Sequence, residues 1–137
     1  MSSPSSEKPL PLPCIRTRIK ICGLTREQDV DAAVAAGADA IGFVLYAPSP
    51  RAVTPQRAAE LAARLPPFVT PVLLFVNESA SNIIAASALL AGATIQFHGD
   101  EAPAECLAAT LDGARPFLRA ARIPLGDGAA RFDLVKY

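Results

Sequence analysis

The sequence predicts an α/β fold in which strands and helices alternate to build one parallel sheet. Three observations carry that prediction. Short apolar runs recur at residues 18–22, 40–44, 72–76, 94–98 and 117–121. Their starts lie 22, 32, 22 and 23 residues apart, an interval that holds one strand, one helix and two short loops. Between the runs, the pattern changes to that of amphipathic helices with cap residues at their ends.

Length and composition set the frame. A chain of 137 residues has room for one domain, and a hydrophobic fraction of 51% is ample for a packed core. Thirteen Lys plus Arg balance thirteen Asp plus Glu, so no net field draws the chain to nucleic acid or an anionic membrane, and a small-molecule partner fits better. Residues 1–13 hold four Ser and four Pro without an apolar stretch, so residues 1–16 are expected to be a flexible Ser/Pro-rich tail ahead of a domain at 17–137. Every apolar run is far shorter than the roughly 18 residues needed to cross a bilayer, and the cytoplasm is the expected location. Cys14, Cys22 and Cys106 are odd in number, with no CxxC spacing and no histidine cluster. That pattern argues against a zinc site or a disulfide framework, so reduced thiols and no metal are expected.

The elements follow in order. After the first strand, Thr25 and Gln28 have the spacing of a capping box, Val30, Ala33 and Val34 form an apolar stripe, and Gly37 is placed to end the helix. Thr54 before Pro55 starts the second helix, with Ala58, Leu61, Ala62 and Leu65 as its buried face and Pro66-Pro67 as its stop. A third helix is expected over residues 80–91, ending at Gly92. The fourth follows Pro103 through Leu107 and Leu111, and a fifth is expected in the last eight or so residues.

Side chains alternate along a strand, so third and fifth positions share a face. Lys20 and Cys22 of the first strand and Gln96 and His98 of the fourth occupy those positions, as does Arg119 if the fifth strand starts at Phe117. A doubly wound sheet, covered by helices on both faces, has little use for polar residues there, whereas the interior of a parallel barrel can carry a polar, functional layer. A barrel is therefore favoured.

Chemistry in such barrels sits where the strands end, and Cys22 and His98 both fall there. Cysteine at a strand end is more often packing than chemistry, so the residues alone leave Cys22 open between core, redox group and base. His98 is equally suited to holding its loop and to lining a pocket. Lys20 is either an interior ion-pair member or a cation that favours the thiolate. The oversized second interval comes from the loop YAPSPRAVT, whose one charge, Arg51, is either a solvated loop charge or a bidentate partner for a carboxylate. Cys14 and Cys106 read as inert, and Asp100 with Glu101 as charges at a helix N-terminus.

Taken together, KICGLT, GADAIGFVLYAPSPRAVTP, LPPFVTPVLLFVN and IQFHGDE resemble phosphoribosylanthranilate isomerase, the family of tryptophan-pathway enzymes with a TIM (β/α)8 barrel. The resemblance runs in the family's order from residue 18 to 137. It implies an Amadori rearrangement of N-(5-phosphoribosyl)anthranilate without a cofactor. A general acid opens the furanose ring, and the Cys of the KICG motif, here Cys22, removes the C2′ proton of the resulting Schiff base. It also implies that Arg51 meets the anthranilate carboxylate and that Gln96 and His98 line the pocket, and Lys20, on the same strand face as Cys22, is expected to be a further substrate-binding residue.

Five of the family's eight strands have counterparts here. The family's catalytic Asp, at the end of the sixth strand, and its phosphate-binding loops, after the seventh and eighth, do not. The expectation is an incomplete TIM barrel covering strands 1–5, inactive and poorly stable alone, with unpaired edges inviting self-association or a complementing C-terminal barrel fragment. The alternative is a non-catalytic binding or assembly module.

Overall fold

A computed structural model describes residues 16–133 and residue 135. Its elements alternate as predicted: β1 (Lys20–Cys22), α1 (Glu27–Ala35), β2 (Ala40–Val44), α2 (Pro55–Ala62), β3 (Thr70–Phe75), α3 (Ala80–Ala88), β4 (Thr94–Phe97), α4 (Pro103–Ala109) and β5 (Phe117–Arg119), followed by a 3₁₀ turn at Gly126–Arg131. All neighbouring strands pair in parallel, in the order β1-β2-β3-β4-β5. That order never reverses. Crossovers of one hand therefore place every helix on the same side of the sheet, the winding of a barrel rather than of a doubly wound fold.

One core joins the helices to that side. Val30 of α1, Ala58 and Leu61 of α2, Ile83 and Ala86 of α3, and Cys106 and Ala109 of α4 pack with Ile41, Phe43, Leu73, Phe75, Ile95 and Phe97 of the strands. These apolar strand residues lie under the helices, sealed within this chain, and half-buried Phe117 packs against the same cluster. Phe117 meets Phe97 edge to face, ring centroids 5.7 Å apart.

Several local expectations hold. Thr54 caps α2 by accepting from the Arg57 amide at 3.1 Å, with Pro55 in the first turn. Gly37, at φ +95°, ends α1 in a Schellman turn, in which its amide donates to Val34 and that of Ala38 to Ala33.

Others are corrected. Arg26, not Thr25, stands at the α1 N-cap, where its guanidinium, having only donors, cannot accept from the helix amides and pairs instead with Asp29 at 2.7 Å. Helix α3 stops at Ala88, short of Gly92. Helix α4 ends at Ala109, short of Leu111, with Cys106 and Ala109 buried and Leu107 facing solvent. The expected fifth helix falls partly on residues 134, 136 and 137, outside the described residues; the end of the 3₁₀ turn stands at its start.

Arg119 is also corrected. It pairs with Phe97, not Gln96, which puts it on the helix side, and Leu118 takes the opposite face. Phe117 docks beside Phe97 in the core, and period-two alternation carries Arg119 to the same side. No helix among the described residues is long and apolar enough to cross a membrane.

Candidate active site

The face of the sheet turned away from the helices is built in rows by the strand register. Lys20, Ala40 and Thr70 form one row, Cys22, Gly42, Val72 and Thr94 the next, and Val44, Leu74, Gln96 and Leu118 the one above. Polar groups enter this face from β1, β3 and β4. Cys22 is half-buried at the end of β1, and Lys20 lies two residues deeper on the same face.

The long loop after β2 folds back over the end of β1. Two turns, closed by Ser49 N donating to Tyr46 O and Ala52 N to Ser49 O, bring Ala52 into a bridge with Val44. The two prolines of APSP favour such turns. Arg51 is thereby carried to β1, where its Nη1 donates to the Cys22 backbone carbonyl at 3.1 Å. Its guanidinium occupies the space where a Cβ on Gly23 would stand, and Gly23 itself sits at φ +83°. Cys22 and Arg51 are thus brought together, with the guanidinium exposed and engaged in no ion pair among the described residues.

Gln96 and His98 form a second pair, Gln96 Nε2 lying 3.4 Å from His98 Nδ1. The Gln96 Oε1 is buried and accepts no hydrogen bond among the described residues. This pair stands three strands from Cys22, roughly 14 Å along the sheet at ordinary strand spacing. A ligand touching both must be elongated. Lys20 makes no ion pair among the described residues.

Residues that sequence reasoning undervalued hold the rim. Glu101, read as a helix-end charge, is instead buried, with its carboxylate accepting from the amides of Asn77 and Gly99. Arg119 lies beside it, donating from Nε to the Glu101 carbonyl at 3.2 Å with Nη1 3.8 Å from the carboxylate. Asn77 Oδ1 accepts from Asp100 N at 2.8 Å. One carboxylate so ties together the ends of β3, β4 and β5. Burial pushes the neighbouring Cys106 thiol up, away from the reactive thiolate.

At the other end, Arg57 of α2 grips Glu27 through two hydrogen bonds, at 2.7 and 2.9 Å, and donates to the Thr25 carbonyl, anchoring the turn after Cys22. Hydrogen bonding from Arg57 holds the Glu27 carboxyl down at about 2. Among the described residues, no cluster of three His, Cys, Asp or Glu has the arrangement of a metal site.

The model of the N-(5'-phosphoribosyl)anthranilate (PRA) isomerase family matches residues 19–128. The N-(5'-phosphoribosyl)anthranilate isomerase of Methylibium petroleiphilum is 59% identical over 123 residues, covering 90% of this chain and 54% of the relative. That of Dechloromonas aromatica is also 59% identical over 123 residues, covering 90% and 55%. Among solved structures, a phosphoribosyl anthranilate isomerase in complex with reduced 1-(o-carboxyphenylamino)-1-deoxyribulose 5-phosphate matches with a TM-score of 0.75 at 33% identity, over 85% of this chain and 59% of that one. The Thermotoga maritima phosphoribosyl anthranilate isomerase matches with a TM-score of 0.70 at 35% identity, over 76% and 50%. The chain spans about half the length of the curated relatives it matches.

Proposed function

The chain belongs to the N-(5'-phosphoribosyl)anthranilate isomerase family, and on that premise we propose that it forms the first five β/α units of an eight-unit TIM barrel. That barrel carries out the Amadori rearrangement of N-(5-phosphoribosyl)anthranilate to 1-(2-carboxyphenylamino)-1-deoxyribulose 5-phosphate, in tryptophan biosynthesis and in the cytoplasm. The 137 residues contribute the base and the carboxylate anchor. The general acid and the phosphate cradle come from units outside them, so the chain alone is inactive.

The observation that carries this reading is the 3.1 Å hydrogen bond from Arg51 to the Cys22 carbonyl. A carboxylate bound by that guanidinium leaves its aromatic ring, and the sugar carbons attached through nitrogen, beside the thiol. Once acid catalysis opens the furanose to a Schiff base, the Cys22 thiolate takes the C2′ proton. The freed electron pair forms the C1′–C2′ double bond as the protonated imine becomes an amine. A proton then adds at C1′ while the C2′ hydroxyl releases its own, which gives the ketone with no atoms gained or lost overall. Gln96 and His98, three strands away, line the far part of the elongated substrate, and Lys20 lies two residues below the thiol on the same face.

The test is complementation. The chain is mixed with a polypeptide carrying the last three β/α units of the Methylibium relative, and isomerase turnover is followed. Activity is expected in the mixture and in neither part alone, and Cys22→Ser is expected to remove it. Activity that survives Cys22→Ser refutes the assignment of the base; a mixture that assembles without turnover favours the non-catalytic module.

A further inference from the structure

Gly42 stands in the middle of β2, where glycine costs strand stability and calls for a reason. Its neighbour across the sheet is Cys22. A Cβ added to Gly42 would lie 2.6 Å from Cys22 Sγ and 3.2 Å from both Cα and Cβ of Cys22, so the sulfur occupies the space that any other residue would fill. No positive φ is needed at Gly42, in contrast to Gly23, so the missing side chain alone explains it. The Gly42 carbonyl also accepts from Gly23 N at 2.8 Å and from Leu24 N at 3.4 Å, which closes the turn directly after Cys22.

We propose that Gly42 is a positioning residue for the Cys22 thiol: its bare Cα is the seat of the sulfur and its carbonyl the anchor of the turn behind it. The two contacts act on opposite sides of Cys22. The seat leaves Sγ one place against β2, and the anchor holds Gly23 where Arg51 lies over it. A methyl at residue 42 displaces the sulfur to another rotamer or prises β1 from β2. Strand propensity alone predicts the reverse, a chain improved by losing a mid-strand glycine.

The proposal rests on the reading of Cys22 as the base only for its effect on turnover, and the test separates the two. Gly42→Ala is made in the full chain, and alkylation of Cys22 by iodoacetamide is followed by peptide mass. A rate changed by roughly tenfold, the scale of a forced off-rotamer side chain, is expected with the circular dichroism spectrum unchanged. A rate within about twofold of the parent overturns the seat, since displacement of this kind exceeds that margin. Should Gly42→Ala fail to fold, the double variant with Cys22→Gly removes both the 2.6 Å contact with the sulfur and the 3.2 Å contact with its Cβ. Recovery of the folded spectrum then supports the proposal, and failure to recover overturns it. In the complemented enzyme, Gly42→Ala is expected to lower kcat by about a hundredfold with KM little changed, as for an angstrom-scale misplacement of a catalytic group. An altered alkylation rate with unaltered kcat leaves the seat standing and refutes Cys22 as the base.

Discussion

On the helix side of the sheet, Ile41, Phe43, Leu73, Ile95 and Phe97 are sealed beneath four helices, whereas on the other side the same strands present Lys20, Cys22, Gly42, Thr94 and Gln96. Two-residue alternation lets one strand serve both purposes. The helix side is finished by residues of this chain. On the inner side Val72 and Leu74 are covered, while Leu118 is 48% exposed and the Gln96 Oε1 has no partner among the described residues. Stability and chemistry are thus assigned to opposite faces, and substitutions on the two should fail in different ways.

The largest effect belongs to the helix side. Phe97→Ala removes a buried ring and its edge-to-face partner, and is expected to cost about 3–5 kcal/mol in urea unfolding, against less than about 1 kcal/mol for Leu118→Ala on the inner face. Similar losses at both positions would erase the distinction.

On the inner side, Cys22→Ser in the complemented barrel should lower kcat by about a hundredfold or more while the urea midpoint stays put. Cys106→Ser, at a thiol under α4, should touch stability and spare kcat. A catalytic defect from Cys106→Ser would mean that chemistry reaches the wrong face.

Arg51→Ala should weaken substrate binding by roughly 1.5–3 kcal/mol, the scale of a charge-assisted pair. An analogue lacking the carboxylate should not register the change, and equal losses for both ligands would deny Arg51 that role.

The smallest effect is electrostatic and belongs to the outer frame. Hydrogen bonding from Arg57 holds Glu27 at about 2, and from Arg16 holds Asp39 at about 2, against ordinary values of 4.5 and 3.8. Both carboxyls release their protons more readily when folded. Their stabilisation is therefore present above the ordinary values and lost as pH falls through the folded ones. The urea midpoint should be level from pH 7 to about 5 and decline toward pH 2, and both pairs, being only partly buried, should matter less in high salt. A flat profile down to pH 2 would remove these pairs from the account.

How much of this could be read in advance follows from which interactions are local. Period-two runs and the caps at Thr54 and Gly37 depend on neighbours in sequence, and they located five strands and four helices to within a few residues. Register depends on what a strand meets in space. Phe117 chose Phe97, and Arg119 went with it to the helix side. Glu101 showed only a charge near a helix start; its burial needed the Asn77 and Gly99 amides, one of them 24 residues away in sequence. Cys22 and Arg51 were singled out separately, but the turns that lay one on the other involve a loop no periodicity describes. Gly42 did leave a signal: a glycine inside an apolar strand marks a close approach.

Amide hydrogen exchange on the chain, alone and then with the fragment carrying the last three β/α units of the Methylibium relative, tests most directly the proposal that one face is complete in this chain and the other is covered by further units. With helices and sheet already packed, the amides of β2, β3 and β4 should be the slowest in the chain alone, with β1 and β5 exchanging fast as edges. Adding the fragment should slow β1 and β5 while isomerase activity appears. Amides of β2 to β4 that exchange without protection in the chain alone, or edges left unchanged in a mixture that turns over substrate, would contradict the account.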